Sequence, residues 1–413
     1  SSEYKERGHP IVRVKDFTLD SVCKDTEKAI SQSSVEKYSK FSLKANDILI
    51  ATVGSWASNP KSVVGKTVLV PDQLDGALLN QNIVRLRTKS PLSQHFLFYA
   101  LKDKNFSNYI VSCAQGSANQ ASITLKDIFQ YQILDLDPKE HFQAIKILLV
   151  IDKKIALNRE KTETLECLAN VLFKSWFVYF DPVRAKSEGL STGLSDEISD
   201  LFPDSFDYSD LGEIPSGWEY TQLKDSIASI KDRQKDRVLQ EFSATITGIE
   251  HRDKKFTKRL SKSSKNNKVA IEDDLVFGLS RRVINFGRMS SSIGAFSSVY
   301  EVFRSTSNSY IPTKIIERYI RVKMASFMDI LKPASREGQA IDRTILLEKS
   351  IPKFPLSLID HYQSIIKPID QRISTTLNEI YILESIKDLL LPKLISGELR
   401  VPDAEKMLEK IGI

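Results

Sequence analysis

Apolar residues recur at alternating intervals of four and three from about residue 141 to residue 180, with charged residues between them. This spacing predicts a long amphipathic helix with a coiled-coil seam. The stretch has no proline or glycine for about 35 residues, roughly 50 Å of helical rise, which outruns a small core. The expected seam positions are Ile151, Ile155, Asn158, Thr162, Leu165, Ala169, Leu172 and Trp176.

The same pattern of apolar and polar residues recurs 218 positions later in the sequence. The seam positions of this copy are Ile369, Ile373, Thr376, Ile380, Leu383, Lys387, Leu390 and Leu394. We expect the two helices to pair, with polar Asn158 and Thr376 at equivalent points fixing the register. The alternative is two independent amphipathic helices, each lying on its own globular core.

Shorter alternating segments precede the first helix. Residues 11–14, 47–54, 63–70 and 83–87 are typical of strands, residues 96–108 of a helix, and residues 123–128 of a return towards a strand. Together they predict an α/β unit of about 130 residues. A stretch rich in Ser, Gly, Asp and Pro follows the first helix and is interpreted as a linker.

The second half of the chain repeats the first in outline. Residues 273–280 match residues 46–53, and residues 336–348 match residues 114–126. We therefore predict an α/β (α+β) protein with a pseudo-two-fold internal repeat: two α/β domains separated by two long antiparallel coiled-coil helices.

The second copy has a lead-in, residues 217–223, that the first lacks; either the first is N-terminally shortened or it does without that segment. The predicted domains are residues 1–138, the first helix 139–182, a linker 183–215, residues 216–356, the second helix 357–397 and a tail 398–413.

Composition narrows the class of protein. With 413 residues, 41% of them apolar, the chain is long enough for two to four domains with real cores. No apolar run reaches the length of a membrane span, the start has no signal-peptide character, and three scattered cysteines lack disulfide or zinc spacing. We expect a cytoplasmic protein with reduced thiols and no membrane partner. The net charge of +6 permits nucleic-acid binding without requiring it.

Catalytic motifs are not found in the sequence. The glycine of a phosphate loop that should precede Gly65-Lys66-Thr67 is replaced by Pro60, and no Gly-x-Gly-x-x-Gly turn or Asn-Pro-Pro-aromatic motif occurs. The five histidines lack metal spacing. Asp152 and Asp370 match across the repeat, and each lies beside Lys or Arg, which favours surface ion pairs. We expect no catalytic residue, no metal and no cofactor.

Positive charge is concentrated in the second unit. Residues 252–268, here called the basic stretch, carry one acid among eight basic residues, so the stretch is either a solvated loop or an arm that follows DNA phosphates. Guanidinium groups suit phosphates and guanine edges, and amides suit adenine edges. The candidate DNA-binding residues of the second unit are Arg252, Lys254, Lys255, Lys258, Arg259, Lys262, Arg281, Arg282, Arg288 and Arg336. Those of the first unit, in two polar loops, are Ser55, Asn59, Lys61, Gln115, Ser117 and Asn119.

Several of these stretches resemble one family. The sequence Leu-Phe-Lys-Ser-Trp-Phe-Val-Tyr-Phe-Asp-Pro-Val at 172–183 resembles the end of the central conserved helix in specificity subunits of type I restriction-modification enzymes, and residues 391–399 resemble the end of their distal helix. Residues 76–82, 115–117 and 123–128 are similar to further family segments. The first copy fits this pattern better than the second, in which residues 288–304 have no counterpart, and the missing lead-in also departs from the family.

The resemblance implies a function and partners. Each globular unit would be a target recognition domain that reads one half of a split, asymmetric site in double-stranded DNA, while the two helices would set the spacing. Catalysis would belong to methyltransferase subunits docked on the helices and to motor and endonuclease subunits. The alternative is a non-catalytic scaffold without sequence-specific DNA binding; a self-contained nuclease or methyltransferase lacks its motifs.

Overall fold

The computed structural model describes residues 4–56, 64–117, 120–133, 138–252, 264–280, 283–307, 309–332 and 339–399. Ten helices in these ranges are α1 (Pro91–Lys102), α2 (Lys104–Cys113), α3 (Leu125–Phe129), α4 (Pro138–Phe177), α5 (Asp181–Ser187), α6 (Asp196–Ser199), α7 (Leu223–Ser226), α8 (Thr313–Val322), α9 (Arg343–Glu348) and α10 (Leu356–Ile395). Short 3-10 helices lie at Val14–Asp16, Gln32–Ser34, Glu36–Phe41, Asp72–Leu74, Ser264–Asn266 and Met324–Ile330.

The strands are short and form several small sheets. They are β1 (His9–Val12), β2 (Ala29–Ile30), β3 (Ile48–Ala51), β4 (Val53–Gly54), β5 (Thr67–Leu69), β6 (Leu78–Leu79), β7 (Ile83–Leu86), β8 (Gln115–Ser117), β9 (Gln120–Ser122), β10 (Phe206–Ser209), β11 (Gly212–Pro215), β12 (Tyr220–Gln222), β13 (Ile227–Ser229), β14 (Phe242–Ala244), β15 (Ile249–His251), β16 (Lys268–Ile271), β17 (Leu275–Phe277), β18 (Phe286–Arg288), β19 (Ile293–Phe296), β20 (Glu301–Ser305) and β21 (Ser350–Pro352).

The chain divides into two compact units. The first unit is Ser1–Glu160 with Leu377–Ile413, and the second is Lys161–Thr376. The boundary falls inside both 40-residue helices, so each unit contains one half of α4 and one half of α10. No helix in the described ranges has a stretch long and apolar enough to cross a membrane.

In the first unit, the N-terminal half of α4 packs on the C-terminal half of α10. Ile151 and Ile155 are buried in one cluster with Ile380, Leu383 and Leu390. Arg159 pairs with Glu384 at 2.7 Å and Lys154 with Glu379 at 3.1 Å. All five of these apolar side chains lie at predicted seam positions.

In the second unit, the C-terminal half of α4 packs on the N-terminal half of α10. Phe173 and Trp176 lie in one cluster with Tyr362 and Ile366, and the Tyr362 hydroxyl donates to the Ala169 carbonyl at 3.2 Å. The order of the halves in the two units is that of an antiparallel pair. The predicted pairing is confirmed, and the alternative of two independent helices is wrong.

Four apolar residues at predicted seam positions are less deeply buried than expected. Leu172 and Ile369 pack half-buried against the second unit's core, and Leu165 and Ile373 are also half-buried. In this region the larger Tyr362 and Ile366 supply much of the buried surface of α10. Polar Asn158, Thr162 and Thr376 are buried in the seam, 5%, 7% and 2% exposed, as their positions in the pattern indicate.

The two units share one central strand arrangement. In the first, Ile48 and Ile50 of β3 face the cluster that contains the helices, while Leu49 and Ala51 face a second cluster. In the second, Leu275 and Phe277 of β17 face the helices and Val276 faces a separate cluster. A strand buried on both faces reads as a continuous apolar run, which explains why both segments were recognisable in the sequence.

A buried aspartate paired with a partly exposed arginine is repeated at the start of each central strand. Asp47 accepts hydrogen bonds from Arg87 at 2.6 and 2.6 Å, and Asp274 accepts them from Arg304 at 2.8 and 2.8 Å. Each aspartate also accepts a backbone N–H three residues earlier in the chain, from Lys44 and Ile271 respectively. The strand pairings Ile48↔Leu86 and Leu275↔Phe303 place the two pairs in the same register. The internal repeat is therefore confirmed at the level of individual side chains.

The predicted linker 183–215 is wrong. It folds as α5, α6 and the hairpin β10–β11, in which Phe206 pairs with Pro215. Val183, Phe202 and Ile214 are buried in the second unit's core, and the rings of Trp176 and Phe202 lie 5.4 Å apart. The buried apolar residues of this segment are isolated and do not recur at helix or strand spacing. The sequence therefore shows no periodic signal, and the segment was mistaken for a linker.

Other predicted elements also differ in their type or limits. Residues 123–128 were expected to return towards a strand, but Leu125–Phe129 form helix α3, because Thr124 caps it and Asp127 completes a capping box. Residues 96–108 form two helices, α1 and α2, separated at Asp103, whose side chain caps α2. The long helices begin earlier than expected, at Pro138 and Leu356, and α10 continues through Pro368.

The repeated ion pair predicts equivalent effects in the two units. Asp47→Ala and Asp274→Ala each leave a guanidinium and a backbone N–H without their acceptor, at a cost of about 2–3 kcal/mol. Amide hydrogen exchange should accelerate in β3 and β7 for the first variant and in β17 and β20 for the second. Exposed Asp25→Ala and Asp210→Ala serve as controls. Unchanged exchange in the central strands would contradict a stabilising role.

Candidate nucleic-acid interface

Two polar loops of the first unit lie side by side. Strand β4 pairs with β9, and β9 pairs with β8 in a tight hairpin with Ser117 opposite Gln120. Gln115, Ser117 and Gln120 are exposed, whereas Ala121 is fully buried and anchors the hairpin in the core. The hairpin therefore presents polar side chains outwards on a fixed base.

Trp56 connects the Ser55 loop to this hairpin. Its indole Nε1 donates to the Ser117 carbonyl at 2.8 Å, and the Ser55 carbonyl accepts the Val64 amide at 3.0 Å. The structure thus brings three predicted residues together, namely Ser55, Gln115 and Ser117. Sequence reasoning missed Trp56, whose role depends on a contact between residues 61 positions apart.

Gly116 allows the close approach of the two hairpin strands. Its φ is +152°, and a Cβ atom there would lie 2.0 Å from the Gln120 carbonyl oxygen. Only glycine fits at this point without moving the backbone. The conformation of the hairpin thus depends on a residue without a side chain.

In the second unit the structure describes Arg252 and Arg288. Arg252 follows β15, and its guanidinium donates to the Ser243 hydroxyl at 2.7 Å. Arg288 ends β18 and pairs with Asp273 and, at 3.6 Å, with Glu317. The guanidinium groups of Arg252 and Arg288 are thus both engaged within the protein.

The other predicted DNA-binding residues lie outside the described ranges. They are Asn59, Lys61, Asn119, Lys254, Lys255, Lys258, Arg259, Lys262, Arg281, Arg282 and Arg336.

A further group of cations was missed. Residues 231–237 read Lys-Asp-Arg-Gln-Lys-Asp-Arg and form a surface loop against residues 264–268, the end of the basic stretch. The four cations of this segment are interleaved with two acids, so the sequence shows no continuous basic run there. Their position beside the basic stretch is visible only in the fold.

Asp152 anchors the first unit's domain to the long helices. It accepts the Tyr99 hydroxyl of α1 at 2.6 Å and the Lys387 ammonium of α10 at 2.5 Å. Burial and the neighbouring carboxylate raise the pKa of Tyr99, so the hydroxyl stays a donor. Burial of nearby Asp20 opposes its ionisation, but Lys102 and Lys387 outweigh that effect and lower its pKa.

Asp370 holds the equivalent position in the second unit. It pairs with Arg318 at 3.3 Å and with Lys314, and both partners lie on α8. The expectation of surface ion pairs along one helix is wrong for both aspartates. Each aspartate instead joins a long helix to a helix of the globular domain in the same unit. These ion pairs fix the position of the domain that carries the loops.

Among the residues that the structure describes, no group of three or more His, Cys, Asp or Glu side chains could hold a metal ion.

Gly116 provides a test of the hairpin. Gly116→Ala forces a backbone shift and should destabilise the hairpin by about 1–3 kcal/mol, seen as faster amide exchange in β8 and β9. Gly76→Ala is the matched control, because Gly76 also has a positive φ, +84°, but nothing within 4 Å of the added Cβ. Equal effects of the two substitutions would show that the close approach at Gly116 is unimportant.

Comparison with known proteins finds similarity to one family. Residues 1–167 match the family described as the type I restriction modification DNA specificity domain. The chain is 22% identical over 395 residues to the type I restriction enzyme MjaIX specificity subunit of Methanocaldococcus jannaschii, covering 92% of this chain and 82% of that protein. It is 32% identical over 139 residues to the HindI specificity subunit of Haemophilus influenzae, covering 33% and 30% of the two proteins.

Among solved structures, the chain is similar to the S subunit of a type I restriction-modification system from M. genitalium, with 15% identity, a TM-score of 0.48, and 95% and 94% of the two chains covered. The match of the first 167 residues and the relative similar over nearly the whole length agree with the motifs at the two helix ends. The chain is therefore similar to specificity subunits of type I restriction-modification enzymes, over its first 167 residues by the family match and over 92% of its length by the Methanocaldococcus relative.

Proposed function

We propose that this chain is the DNA sequence-recognition subunit of a type I restriction-modification complex, in which each unit reads one half of a bipartite, asymmetric site. The observation that carries the proposal is a duplicated scaffold with different loops. Both units repeat the central strand, its aspartate–arginine pair and the anchor to a long helix. Two units with the same scaffold but different loop side chains are suited to bind two different half-sites in one DNA molecule.

The loop chemistry of the first unit fits base edges. Gln115 and Gln120 are exposed amides on a short hairpin, and a glutamine amide can donate to and accept from adenine in the major groove. Ser117 and Ser55 can bond to several bases. The hairpin has a buried anchor at Ala121 and the Trp56 contact, so little ordering is needed when DNA binds.

The second unit offers more positive charge. Arg252 stands at the start of the basic stretch, and the lysines and arginines that follow it in sequence suit phosphate contacts. In this proposal phosphate contacts fix the position of the protein, while loop side chains reach base edges. A partner methyltransferase subunit would then flip the target base out of the duplex.

The helices would set the spacing between half-sites and dock methyltransferase subunits. Exposed apolar residues support a docking role: in the first unit Leu157 of α4 is 60% exposed and Leu389 of α10 is 69% exposed, and in the second unit Val171 of α4 is 58% exposed. A contiguous exposed apolar patch on a helix surface is typical of a protein contact. Catalysis would then belong to the methyltransferase subunits and to motor and endonuclease subunits, and the chain itself would be non-catalytic.

The direct experiment is selection from a randomised duplex pool. The purified chain, with a matching methyltransferase subunit, is incubated with the pool at two salt concentrations, and the bound DNA is sequenced. A motif in two parts at fixed spacing supports the proposal. Binding without a motif, or complex formation without DNA binding, would instead support a scaffold.

The first-unit loops predict a one-sided change in specificity. Gln115→Ala combined with Ser117→Ala should relax one part of the motif, at about 1–3 kcal/mol for each lost base contact, and leave the other part intact. Gln143→Ala, an exposed amide on α4 in the same unit, is the control and should leave the motif unchanged. Relaxation of both parts, or of neither, would argue against base reading by the hairpin.

A further inference from the structure

The surface loop at residues 231–241, here called the cationic loop, joins β13 to β14 in the second unit. The loop begins after Ile230, whose backbone amide donates a hydrogen bond to the Val302 carbonyl at 2.8 Å. It ends at Glu241, which forms a parallel β-bridge with Ala295. Between these points most of its side chains are exposed. The loop is therefore a surface feature fixed at both ends.

Backbone hydrogen bonds tie the cationic loop to both described flanks of residues 253–263. The Arg252 amide donates to the Glu241 carbonyl at 3.0 Å. On the other side, the Gln234 amide donates to Asn267 at 2.8 Å and the Lys235 amide to Lys265 at 3.0 Å. The loop thus lies directly against Arg252 and residues 264–268 of the basic stretch.

A buried amide pair fixes the loop's conformation. Gln234 and Asn267 are only 5% and 0% exposed, and the Asn267 Nδ2 donates to the Gln234 Oε1 at 3.0 Å. Gln234 in turn donates to the Arg237 carbonyl at 2.9 Å, which closes the turn around Lys235, whose φ is +51°. Buried and satisfied polar groups of this kind specify one conformation.

The charges of this surface do not cancel. Asp232 pairs with Arg237 at 2.7 Å, and Asp236 pairs with Lys265 at 2.8 Å. The hydrogen bond from Arg237 is the main cause that lowers the pKa of Asp232, so this carboxylate stays ionised and paired. Both acids of residues 231–237 are therefore matched, while Lys231, Arg233 and Lys235 add positive charge on the same surface.

The geometry points to a DNA-backbone contact: we propose that the cationic loop binds phosphates through Lys231 and Lys235. The inference deepens the proposed function and rests on it. Lysine ammonium groups are point charges that suit phosphates, whereas base reading favours forked or amide groups. Both lysines are exposed, and their backbone is already ordered, so little entropy is lost on binding. Arg233 stays part of the loop's frame, since its guanidinium donates to the Asn266 carbonyl at 2.8 Å.

The salt dependence of binding tests this assignment. The full chain with its methyltransferase partner is titrated with a short duplex that carries the selected motif and with one that lacks it, between about 50 and 200 mM salt. Lys231→Ala with Lys235→Ala should weaken both complexes to the same extent. The slope of log K against log salt should become less negative by about 1.8, that is about 0.9 for each of two phosphates. The selected motif should not change.

Two matched variants complete the design. Lys231→Arg with Lys235→Arg keeps both charges and should restore the wild-type slope. Lys367→Ala with Arg372→Ala removes two exposed cations from α10 in the same unit and should leave the slope unchanged.

An unchanged slope in the lysine double variant, or an equal change in the α10 variant, would overturn the inference. Weaker binding of the methyltransferase subunit with an unchanged slope would also overturn it, because the loop would then contact protein. If the wild-type complex selects no motif at all, the proposed function fails instead, so the two failures are distinguishable.

Discussion

The antiparallel packing of α4 on α10 is the contact on which both units depend. Neither unit completes its core from its own domain: the first needs Leu383 and Leu390 from the end of α10, and the second needs Phe173 and Trp176 from the end of α4. Each large apolar side chain buried in this way contributes about 1.5–3 kcal/mol. The domains are therefore inseparable from the helices, and a change in the seam is expected to be felt in both.

Duplication of this arrangement separates a shared scaffold from the loops in which the two units differ. The parts repeated most closely, the doubly buried strand and its Asp47–Arg87 or Asp274–Arg304 pair, lie inside the units. The parts that differ are loops: an amide-bearing hairpin in the first unit, and the cationic loop beside the basic stretch in the second. Function resides in such loops on a common frame. One chain can thus carry two unlike binding surfaces on a single kind of scaffold.

The sequence predicted what periodicity and repetition encode. The helical seam, the buried polar Asn158 and Thr376, and the two central strands follow from spacing alone. Contacts between residues that are far apart in the sequence produce no periodic pattern and could not be predicted. Examples are the hydrogen bond from Trp56 to Ser117 and the amide pair of Gln234 with Asn267. For the same reason Arg288 looked available in the sequence, although Asp273 and Glu317 hold it in the fold.

Under the proposed function, one chain reads two separate DNA segments through two unlike loop sets. The decisive experiment is hydroxyl-radical footprinting of the assembled complex on a selected site. We expect two protected segments separated by an accessible gap, with protection of only one segment weakened when the first unit's hairpin is altered. A single continuous footprint, or two footprints that weaken together, would contradict it.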